Sequence, residues 1–481
     1  MRAADEARSA NDVVAVGPRW AWIPWVLSAA FFLFAAVVSL PEGLSREGAY
    51  TLAALGAAVL FWSSGVQDPA LTGLLIVSLL ALLRVIPFAD AVAGFGTEFI
   101  WLLAATFILT QAMADVGLGR RIALRILDLA RGRSSGVLLA LLCAMVVLAF
   151  IVPTAAGRVA MLLPVCMGII EATGIAPTSR FARAMLIGTS HTAIMAGIGL
   201  VTAAGATVYA AGAFDSLVGM EWSYVAWLAA FLPLVVVFVL LLWRILLWAF
   251  PPERDELTGG AAYVQEELRR MGPLSTGEGK MLAVYTGIFT LWILGPRWSI
   301  TTSQAGMLGM LVLLLPGVRL LTWERALAAV RWNVIMLFGI TLALAVALER
   351  SGAGRWLTDA TLLVLERPSP LAFVLIVAPL VILIRVGFVN NLGMIAAMLP
   401  LAFTLAKGWG LNPVWVGMIV VVTAGPGFLL PTQAPSGMIT FGYEYYTIRD
   451  YMRSGLPASI VLLLLTWAAA LFYWPLLGYR P

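Results

Sequence analysis

Charge, cysteine and histidine are all scarce in this chain. Only 11% of its 481 residues are charged, two are cysteine and one is histidine. Cys143 and Cys166 lie inside apolar segments without the spacing of metal ligands, and a lone histidine cannot build a metal centre. The polar residues also include no carboxylate dyad and no Ser-His arrangement. These absences argue against an enzyme, and the sequence predicts no cofactor.

Apolar residues dominate instead, at 62% of the chain and a mean hydropathy of +0.97. Runs long enough to cross a bilayer of roughly 30 Å recur along its length, without the alternation of strands. They predict an all-α integral membrane protein whose partner is the lipid bilayer. The net charge of +5 comes from arginines in short loops that set orientation, so no nucleic-acid partner is predicted.

The breaks between apolar runs predict the topology. We expect eleven transmembrane spans, near residues 20–40, 49–66, 70–89, 99–117, 184–212, 223–250, 281–297, 302–318, 332–349, 413–441 and 455–477. Two further apolar stretches, 136–172 and 371–407, each have a turn signal at mid-length and are predicted to be re-entrant hairpins. No cleavage site follows the polar first residues, so the first span is expected to remain.

Loop charges predict the orientation. The basic segment "GLGRRIALRILDLARGRSSG" and the polar loop 251–280 are expected to face the cytoplasm. The number of crossings then places the N-terminus inside and the C-terminus outside. We expect the membrane to be a bacterial inner membrane.

The chain contains an internal repeat at an offset of 235 to 236 residues, where "TAAGRVAMLLP" aligns with "NNLGMIAAMLP". Five crossings separate the two copies, so they are inverted, as in secondary transporters. The repeat predicts five regions: N-terminal helices (1–95), a first repeat (96–215), connecting helices (216–330), a second repeat (331–442) and a last helix (443–481).

Four interruptions rich in glycine or proline lie at membrane depth: the hairpin tips 153–158 and 388–393, and the mid-span breaks 196–207 and 424–437. Irregular backbone is tolerated there only inside protein or along a water-filled cavity. Helix N-termini at such breaks suit an anion, whereas carbonyl ends suit a small cation. The alternatives are two full spans joined by a tight turn for each hairpin, and kinked helices for the breaks.

The last broken span leads into a run that is fairly specific. "LLPTQAPSGMITFGYEYYTIRDYMRSGLP" is similar to the Leu-Pro, Thr-Pro-Pro-Asn, Phe-Gly, Ile-Arg-Asp and Met-x-x-x-Gly pattern of the divalent anion:sodium symporter (DASS) family. The resemblance covers about residues 95–460. It implies a homodimer in which the hairpins and broken helices form a transport domain that slides past a scaffold as an elevator. It also implies small anionic substrates such as C4 dicarboxylates, citrate or sulfate, taken up with sodium or exchanged.

The resemblance also places the site. The family carries a Ser-Asn-Thr triplet at each hairpin tip, and these positions read Thr154-Ala155-Ala156 and Asn390-Asn391-Leu392 here. Neither triplet is intact, so the chain is a divergent member. The Thr-Pro-Pro-Asn positions read Gly205-Ala206-Thr207 and Ala434-Pro435-Ser436-Gly437. The expected substrate-binding residues are Thr154, Ala155, Ala156, Gly157, Arg158, Thr202, Asn390, Asn391, Gly393, Thr432, Gln433, Pro435 and Ser436.

Arg158 is the most informative departure. A charge at mid-membrane costs at least about 2.5 kcal/mol, so it needs a partner or water. Arg158 either ligates the anion, takes the electrostatic role of a sodium ion lost with Ala155 and Ala156, or caps a turn in water at the outer face. The first two alternatives predict weak or absent sodium dependence. Arg385 is either the counterpart of Arg158 near the second tip or part of a structural ion pair.

The remaining polar residues leave coupling open. Asn390 and Asn391 keep donors and acceptors, which leaves room for one sodium ion near Asn391. His191 is either a proton carrier or a neutral residue hydrogen-bonded between helices. Four residues either orient the ligand or satisfy freed backbone groups: Thr202, Thr432, Gln433 and Ser436.

The sequence as a whole predicts a secondary transporter of a small anion. Its coupling is altered from sodium symport to exchange, proton coupling or none. The alternatives are an ordinary sodium-coupled symporter or, in a different class, an anion channel or an intramembrane enzyme.

Overall fold

The computed structural model describes residues 20–257, 259–364 and 368–481. The polar residues 1–19, and with them the prediction about signal cleavage, lie outside these ranges. The described residues form α-helices with short 3-10 and π turns, and within those ranges the only β pairing is an isolated bridge between Arg133 and Glu256. The all-α prediction is confirmed.

The helices before and within the first repeat follow the chain order α1 (Ile23–Val37), α2 (Arg46–Ser64), α3 (Pro69–Leu82), α4 (Phe88–Ala93), α5 (Glu98–Val116), α6 (Leu118–Asp128), α7 (Ser134–Ala149), α8 (Ala155–Thr173), α9 (Arg180–Ala196) and α10 (Gly205–Val218). The connecting helices are α11 (Tyr224–Ala249), α12 (Gly260–Met271), α13 (Thr276–Leu294), α14 (Thr302–Leu314) and α15 (Trp323–Ala329).

The second repeat contains α16 (Trp332–Arg350), α17 (Ala353–Val364), α18 (Pro370–Ile384), α19 (Asn391–Trp409), α20 (Pro413–Ala424) and α21 (Pro435–Phe441), and the chain ends with α22 (Ile448–Ala468) and α23 (Trp474–Leu476). Among the described residues, seven helices are long and apolar enough to cross a membrane, and five apolar helices are shorter. The number of crossings stays a prediction.

The two repeats have the same element order. Each has a long helix (α5 or α16), a short helix (α6 or α17), a helical hairpin (α7–α8 or α18–α19) and a helix broken in the middle (α9–α10 or α20–α21). The breaks cover residues 197–204 and 425–434, within the predicted intervals.

The two hairpins begin at opposite ends of the molecule. Ser134, at the base of the first hairpin, donates to the Asp255 carbonyl oxygen at 2.9 Å, just beyond the C-terminal end of α11. Lys407, at the base of the second hairpin, donates to the Leu217 carbonyl oxygen at 3.0 Å, just before α11 begins. Because α11 has 26 residues and spans roughly 39 Å, these bases lie on opposite sides and the repeats are inverted.

The first hairpin turns at half depth. The Tyr285 hydroxyl, at the midpoint of the 19-residue helix α13, donates to the Ile151 carbonyl oxygen at the tip at 2.8 Å. A tip level with the middle of α13 favours a re-entrant hairpin over two full spans joined by a turn at the surface.

Two local predictions were wrong. The tips cover residues 150–154 and 385–390, three to four residues earlier than predicted, because Thr154 and Asn390 cap α8 and α19 and the next residues are already helical. Helices also form inside the two segments treated as loops. The buried apolar face of α6 includes Leu124 and Leu127, and this face, despite the surrounding arginines, makes a surface helix favourable.

Candidate functional site

The first hairpin tip is an extended turn closed by a helix cap. The Thr154 hydroxyl oxygen accepts from the Gly157 backbone N–H at 3.1 Å, which satisfies one free donor at the start of α8. Residues 154–157 are half-buried, whereas Arg158 is fully buried. The side chain of Thr154 therefore stabilises the turn, and the backbone beside it remains accessible.

The Arg158 guanidinium is held entirely by backbone carbonyls. Its Nη1 donates to the carbonyl oxygens of Val152 at 2.5 Å and Ala203 at 2.9 Å. Its Nη2 donates to the Ala193 carbonyl oxygen at 2.6 Å. These bonds tie the hairpin tip to both sides of the break in the α9–α10 helix. Arg158 is therefore an internal cation in a carbonyl cage, and does not cap a turn in water.

Arg385 makes the same kind of contact in the second repeat. It is 1% exposed, and it donates to the carbonyl oxygens of Phe388 at the tip and of Gln433 in the break, the latter at 2.5 Å. Within the described chain, no carboxylate lies at ion-pair distance from it, so the predicted alternative of a structural ion pair finds no support.

The two guanidinium groups bind equivalent carbonyls. One acceptor in each repeat lies two residues before the helix cap at the tip, Val152 or Phe388. The other lies one residue before the cap of the second half of the broken helix, Ala203 or Gln433. The arginines themselves come from different arms of their hairpins, since one follows its tip and the other precedes it. The two repeats thus hold a guanidinium group in equivalent surroundings, although the two arginines stand at non-equivalent sequence positions.

Each break has a glycine beside its guanidinium group, and the fit is tight only at the second break. A Cβ atom on Gly197 would lie 3.4 Å from Nη2 of Arg158. One on Gly427 would lie 3.2 Å from Nη2 of Arg385 and 2.6 Å from Cβ of Gln433. The Gly-x-Gly pattern in both breaks was the sequence signal for this close approach.

The two asparagines of the second tip have different environments. The Asn390 side-chain oxygen accepts from the Leu392 backbone N–H at 2.9 Å and caps α19. Asn391 is half-buried, and its side chain forms no hydrogen bond within the described residues. The side chain of Asn390 therefore stabilises the start of α19, whereas the side chain of Asn391 is available to bind a ligand. Gly393, two residues on, is buried beside Trp62.

Gln433 is fully engaged inside the second break. Its Oε1 accepts from the backbone N–H groups of Leu429 at 2.9 Å and Leu430 at 2.7 Å, and its Nε2 donates to the Arg385 carbonyl oxygen at 3.1 Å. This side chain satisfies freed backbone groups, which was one of its two predicted roles.

The other candidates near the breaks differ in exposure. Thr432 and Pro435 are exposed, whereas Ser436 is fully buried and its hydroxyl has no hydrogen-bond partner in the described residues. Thr202 is buried, and beside Pro153 it lines a cavity of about 10 Å³.

His191 packs among aromatic rings. Its ring centroid lies 5.0 Å from that of Phe428 and 4.5 Å from that of Tyr451. Neither ring nitrogen has a hydrogen-bond partner in the described part of the chain. These contacts therefore do not support the predicted alternative of a histidine hydrogen-bonded between helices. The ring is held by packing against its aromatic neighbours.

The second arms of the hairpins pack across the repeats. α8 lies against α21, and α19 lies against α10. Each of these helices begins at a tip or a break and runs outward, so their N-termini point toward the middle of the molecule. Helix N-termini attract negative charge through free N–H groups and the helix dipole. A helix N-terminus at a tip or a break therefore suits a small anion.

Two larger cavities were not predicted. One, of about 450 Å³, lies between α16 and α19 and is lined by charged residues that include Glu349, Arg355 and Lys407. The other, of about 390 Å³, is lined by Trp222 and Trp292. Trp292 also lines the small cavity at the first tip, so this second space leads toward the tip. Tertiary crevices of this kind leave no motif in a sequence.

Inverted repeats, re-entrant hairpins and broken helices with guanidinium groups at their centre define a membrane transporter and not an enzyme. The profile described as "Sodium:sulfate symporter transmembrane region" matches residues 19–479, so the chain belongs to this family. The resemblance to the DASS family is confirmed.

Relatives extend over nearly the whole chain. A protein from Cupriavidus necator named "Membrane protein" is 29% identical and covers 93% of each chain. The "Sodium-dependent dicarboxylate transporter SdcS" of Staphylococcus saprophyticus is 26% identical over 89% of this chain and 87% of its own. The solved YdaH transporter of Alcanivorax borkumensis has a TM-score of 0.51 over 96% of this chain and 99% of its own. Its identity of 13% makes it a likeness of fold alone.

Proposed function

We propose that the protein is a secondary active transporter of a small anion. The candidate substrates are dicarboxylates, tricarboxylates, sulfate and sulfonates. The hairpins and broken helices move as one transport domain against the other helices, in a homodimer in a bacterial inner membrane. Family membership supports this function, and a staphylococcal relative is named as a sodium-dependent dicarboxylate transporter. The cavity of about 450 Å³ between α16 and the second hairpin leaves space for such movement.

The carbonyl cage around Arg158 is the observation that carries the coupling proposal. Backbone carbonyls at the ends of broken helices are typical ligands of sodium ions in transporters. Here the guanidinium donates to three of them, so a positive charge already occupies the space that a sodium ion would need. Sodium dependence at the first site is therefore weak or absent.

The anion binds between the two tips. The half-buried residues Ala155 and Ala156 offer backbone N–H groups at the start of α8, and the amide of Asn391 offers a polar side chain at the start of α19. Ser436 adds a buried hydroxyl that has no hydrogen-bond partner among the described residues. Thr202, Thr432 and Pro435 border the site, and Gln433 holds the second break.

An ordinary sodium-coupled symporter is the second candidate. The printed name of the staphylococcal relative and the free side chain of Asn391 favour one remaining sodium ion near the second tip. In this alternative the second site binds sodium although Arg385 lies beside it.

Anion binding to the purified protein tests the proposal. We expect a dicarboxylate, a tricarboxylate, sulfate or a sulfonate to raise the midpoint of thermal unfolding equally in sodium and potassium buffers. Arg158→Gln should abolish this shift, whereas Arg180→Gln, which changes an arginine 52% exposed at the start of α9, should retain it. A shift that requires sodium would favour the second candidate. No shift with any of these anions would contradict the proposed function.

A further inference from the structure

Helix α12 fills a cleft of the first repeat, between the short helix α6 and the second hairpin arm α8. It packs against both of these helices. The Tyr263 hydroxyl of α12 occupies the place that a side chain on Gly168 of α8 would take. At the other wall of the cleft, the Glu267 carboxylate accepts from Nη2 of Arg120 on α6 at 2.5 Å. One aromatic ring and one carboxylate of α12 therefore join α6 to the hairpin.

The second repeat has an equivalent cleft, and in the described part of the chain no helix fills it. The repeat offset pairs Arg120 with Arg355, and each is the third residue of its short helix. It likewise pairs Gly168 with Thr404, and each is the fourteenth residue of its hairpin arm. Arg355 and Thr404 both line the cavity of about 450 Å³. This cavity is therefore the open counterpart of the cleft that α12 fills.

Arg355 also differs from its counterpart in its partners. Arg120 is paired with a carboxylate of α12, whereas no ion pair of Arg355 occurs among the described residues. Its guanidinium group is exposed at the wall of the cavity. The position that binds an anionic group in the first repeat is thus open to an anionic group from outside the chain in the second.

The charged residues of the cavity have both signs. Arg355 and Lys407 are cations, whereas Glu349 and Asp359 are carboxylates, and all four are exposed. Apolar side chains of α16 and α19 form much of the remaining wall. A ligand with one charge would meet a like charge here, whereas a ligand with both signs is matched. The volume lies within the range of ligand pockets, roughly 300–1,000 Å³.

We propose that this cavity binds an amphipathic zwitterion, a molecule with an ammonium group and a carboxylate or phosphate on an apolar body. The anionic group pairs with Arg355, as the α12 carboxylate pairs with the counterpart arginine of the first repeat. The ammonium group pairs with Asp359, which lies one helical turn after Arg355. The apolar body packs beside Thr404, where the first repeat has an aromatic ring. An amino acid with a large apolar side chain has this chemistry, and so has an ethanolamine phospholipid.

A bound ligand would also slow transport. The cavity lies between α16 and α17 on one side and the hairpin arm α19 on the other, and the proposed movement needs this space. A molecule held there fills the space and links the hairpin to the helices beside it. This effect on the rate rests on the proposed function, whereas binding to the cavity does not.

Binding to the purified protein, with no transported anion present, tests the site. The probes are L-phenylalanine and the soluble dihexanoyl phosphatidylethanolamine, each titrated by calorimetry. We expect at least one of them to bind, and the pattern shows whether the source is an amino acid, a lipid or either. N-acetyl-L-phenylalanine and dihexanoyl phosphatidylglycerol lack the ammonium group and should bind at least tenfold more weakly. Binding of neither probe, or equal binding of the forms without ammonium, would overturn the proposal.

Substitutions of exposed residues connect binding to the cavity. Arg355→Gln and Asp359→Asn should each weaken binding at least fivefold. Arg125→Gln, at an exposed arginine of α6, is the matched control and should leave binding unchanged. The thermal unfolding midpoint of each variant checks that it is folded. Equal binding in all four proteins would show that the ligand lies elsewhere and would overturn the proposal.

Uptake into proteoliposomes tests the effect on transport. The labelled anion is a dicarboxylate, a tricarboxylate, sulfate or a sulfonate, with the bound probe present at saturation on both sides. We expect the probe to lower the initial rate at least threefold in the unaltered protein and less than 1.5-fold in Arg355→Gln. An unchanged rate in the unaltered protein would overturn the regulatory effect. No uptake of any anion without the probe would contradict the proposed function, and the binding measurements would still decide the site.

Discussion

The Arg158 guanidinium lies 2.9 Å from the carbonyl oxygen of Ala203, and this bond joins a hairpin tip to a broken helix. The two residues are 45 positions apart in the sequence, and neither belongs to an ion pair in the described residues. The bond places a buried positive charge between the hairpin tip and the second half of the broken helix. The proposed coupling rests on this contact.

Arg158→Ala should create a vacancy that a soluble cation can fill. The variant leaves three carbonyl oxygens without a donor, which costs about 1 kcal/mol or more for each buried acceptor. We expect transport to fall at least tenfold and to recover partly with millimolar guanidinium or with sodium. The measurement is uptake in proteoliposomes with each cation added. Equal, full activity without any cation would show that Arg158 has no electrostatic role.

Gly427→Ala should disturb the second guanidinium site. Its Cβ would lie 2.6 Å from Cβ of Gln433, and such overpacking costs about 1–3 kcal/mol. We expect a lower unfolding midpoint and slower transport. Gly387→Ala is the matched control, because a Cβ there meets no atom within 4 Å. Identical behaviour of the two variants would mean that the break tolerates the displacement of Arg385.

The adjacent asparagines of the second tip should respond differently to alanine. Asn390→Ala removes a helix cap and should cost about 1 kcal/mol of stability. Asn391→Ala removes a free amide at the proposed site, so KM should rise about tenfold, which corresponds to about 1.4 kcal/mol, while the unfolding midpoint stays constant. Transport kinetics and thermal unfolding of both variants check this. A higher KM in Asn390→Ala together with a lower unfolding midpoint in Asn391→Ala would show that Asn390, and not Asn391, binds the ligand.

Acid should weaken the contact between α6 and α13. Arg121 binds the Glu278 carboxylate with both Nε, at 2.7 Å, and Nη2, at 3.0 Å, and this arginine holds the pKa of Glu278 below its ordinary value. A depressed folded-state pKa gives stability that is present above the unfolded pKa and is lost as the pH falls through the folded value.

Thermal unfolding between pH 7 and pH 3.5 measures this effect. We expect the midpoint temperature of unfolding to decrease once the pH falls below about 4.3, the ordinary pKa of a glutamate. Glu278→Gln should lower stability by about 1–3 kcal/mol at pH 7 and remove part of the acid dependence. Glu266→Gln, at an exposed pair, is the control. If Glu278→Gln keeps the full acid dependence of the midpoint, that dependence arises from other carboxylates.

Much of the fold could be predicted because apolar runs and their interruptions are local signals. The hairpins, the breaks and the inverted order followed from glycine, proline and hydropathy alone. The predicted positions of the tips were shifted by a few residues because the capping roles of Thr154 and Asn390 depend on backbone conformation. α6 and α12 were missed because their many charged residues concealed an amphipathic period.

The site could be predicted only as a set of residues. The sequence singled out both arginines, since a charge in an apolar run stands out. Their acceptors are backbone carbonyls, which carry no sequence signature, and Ala203 lies 45 residues from Arg158. The packing of His191 against Phe428 and Tyr451 is likewise tertiary, and the sequence did not predict it. The role of His191 as a proton carrier stays a prediction.

The initial rate of anion uptake into proteoliposomes, with external sodium replaced by potassium or choline, tests the central claim most directly. With Arg158 supplying the positive charge at the first site and no sodium bound at the second, the rate should agree within twofold in all three media. A rate at least fivefold higher in sodium would contradict the claim of sodium-independent transport and favour the second candidate, an ordinary symporter with a dissociable sodium ion.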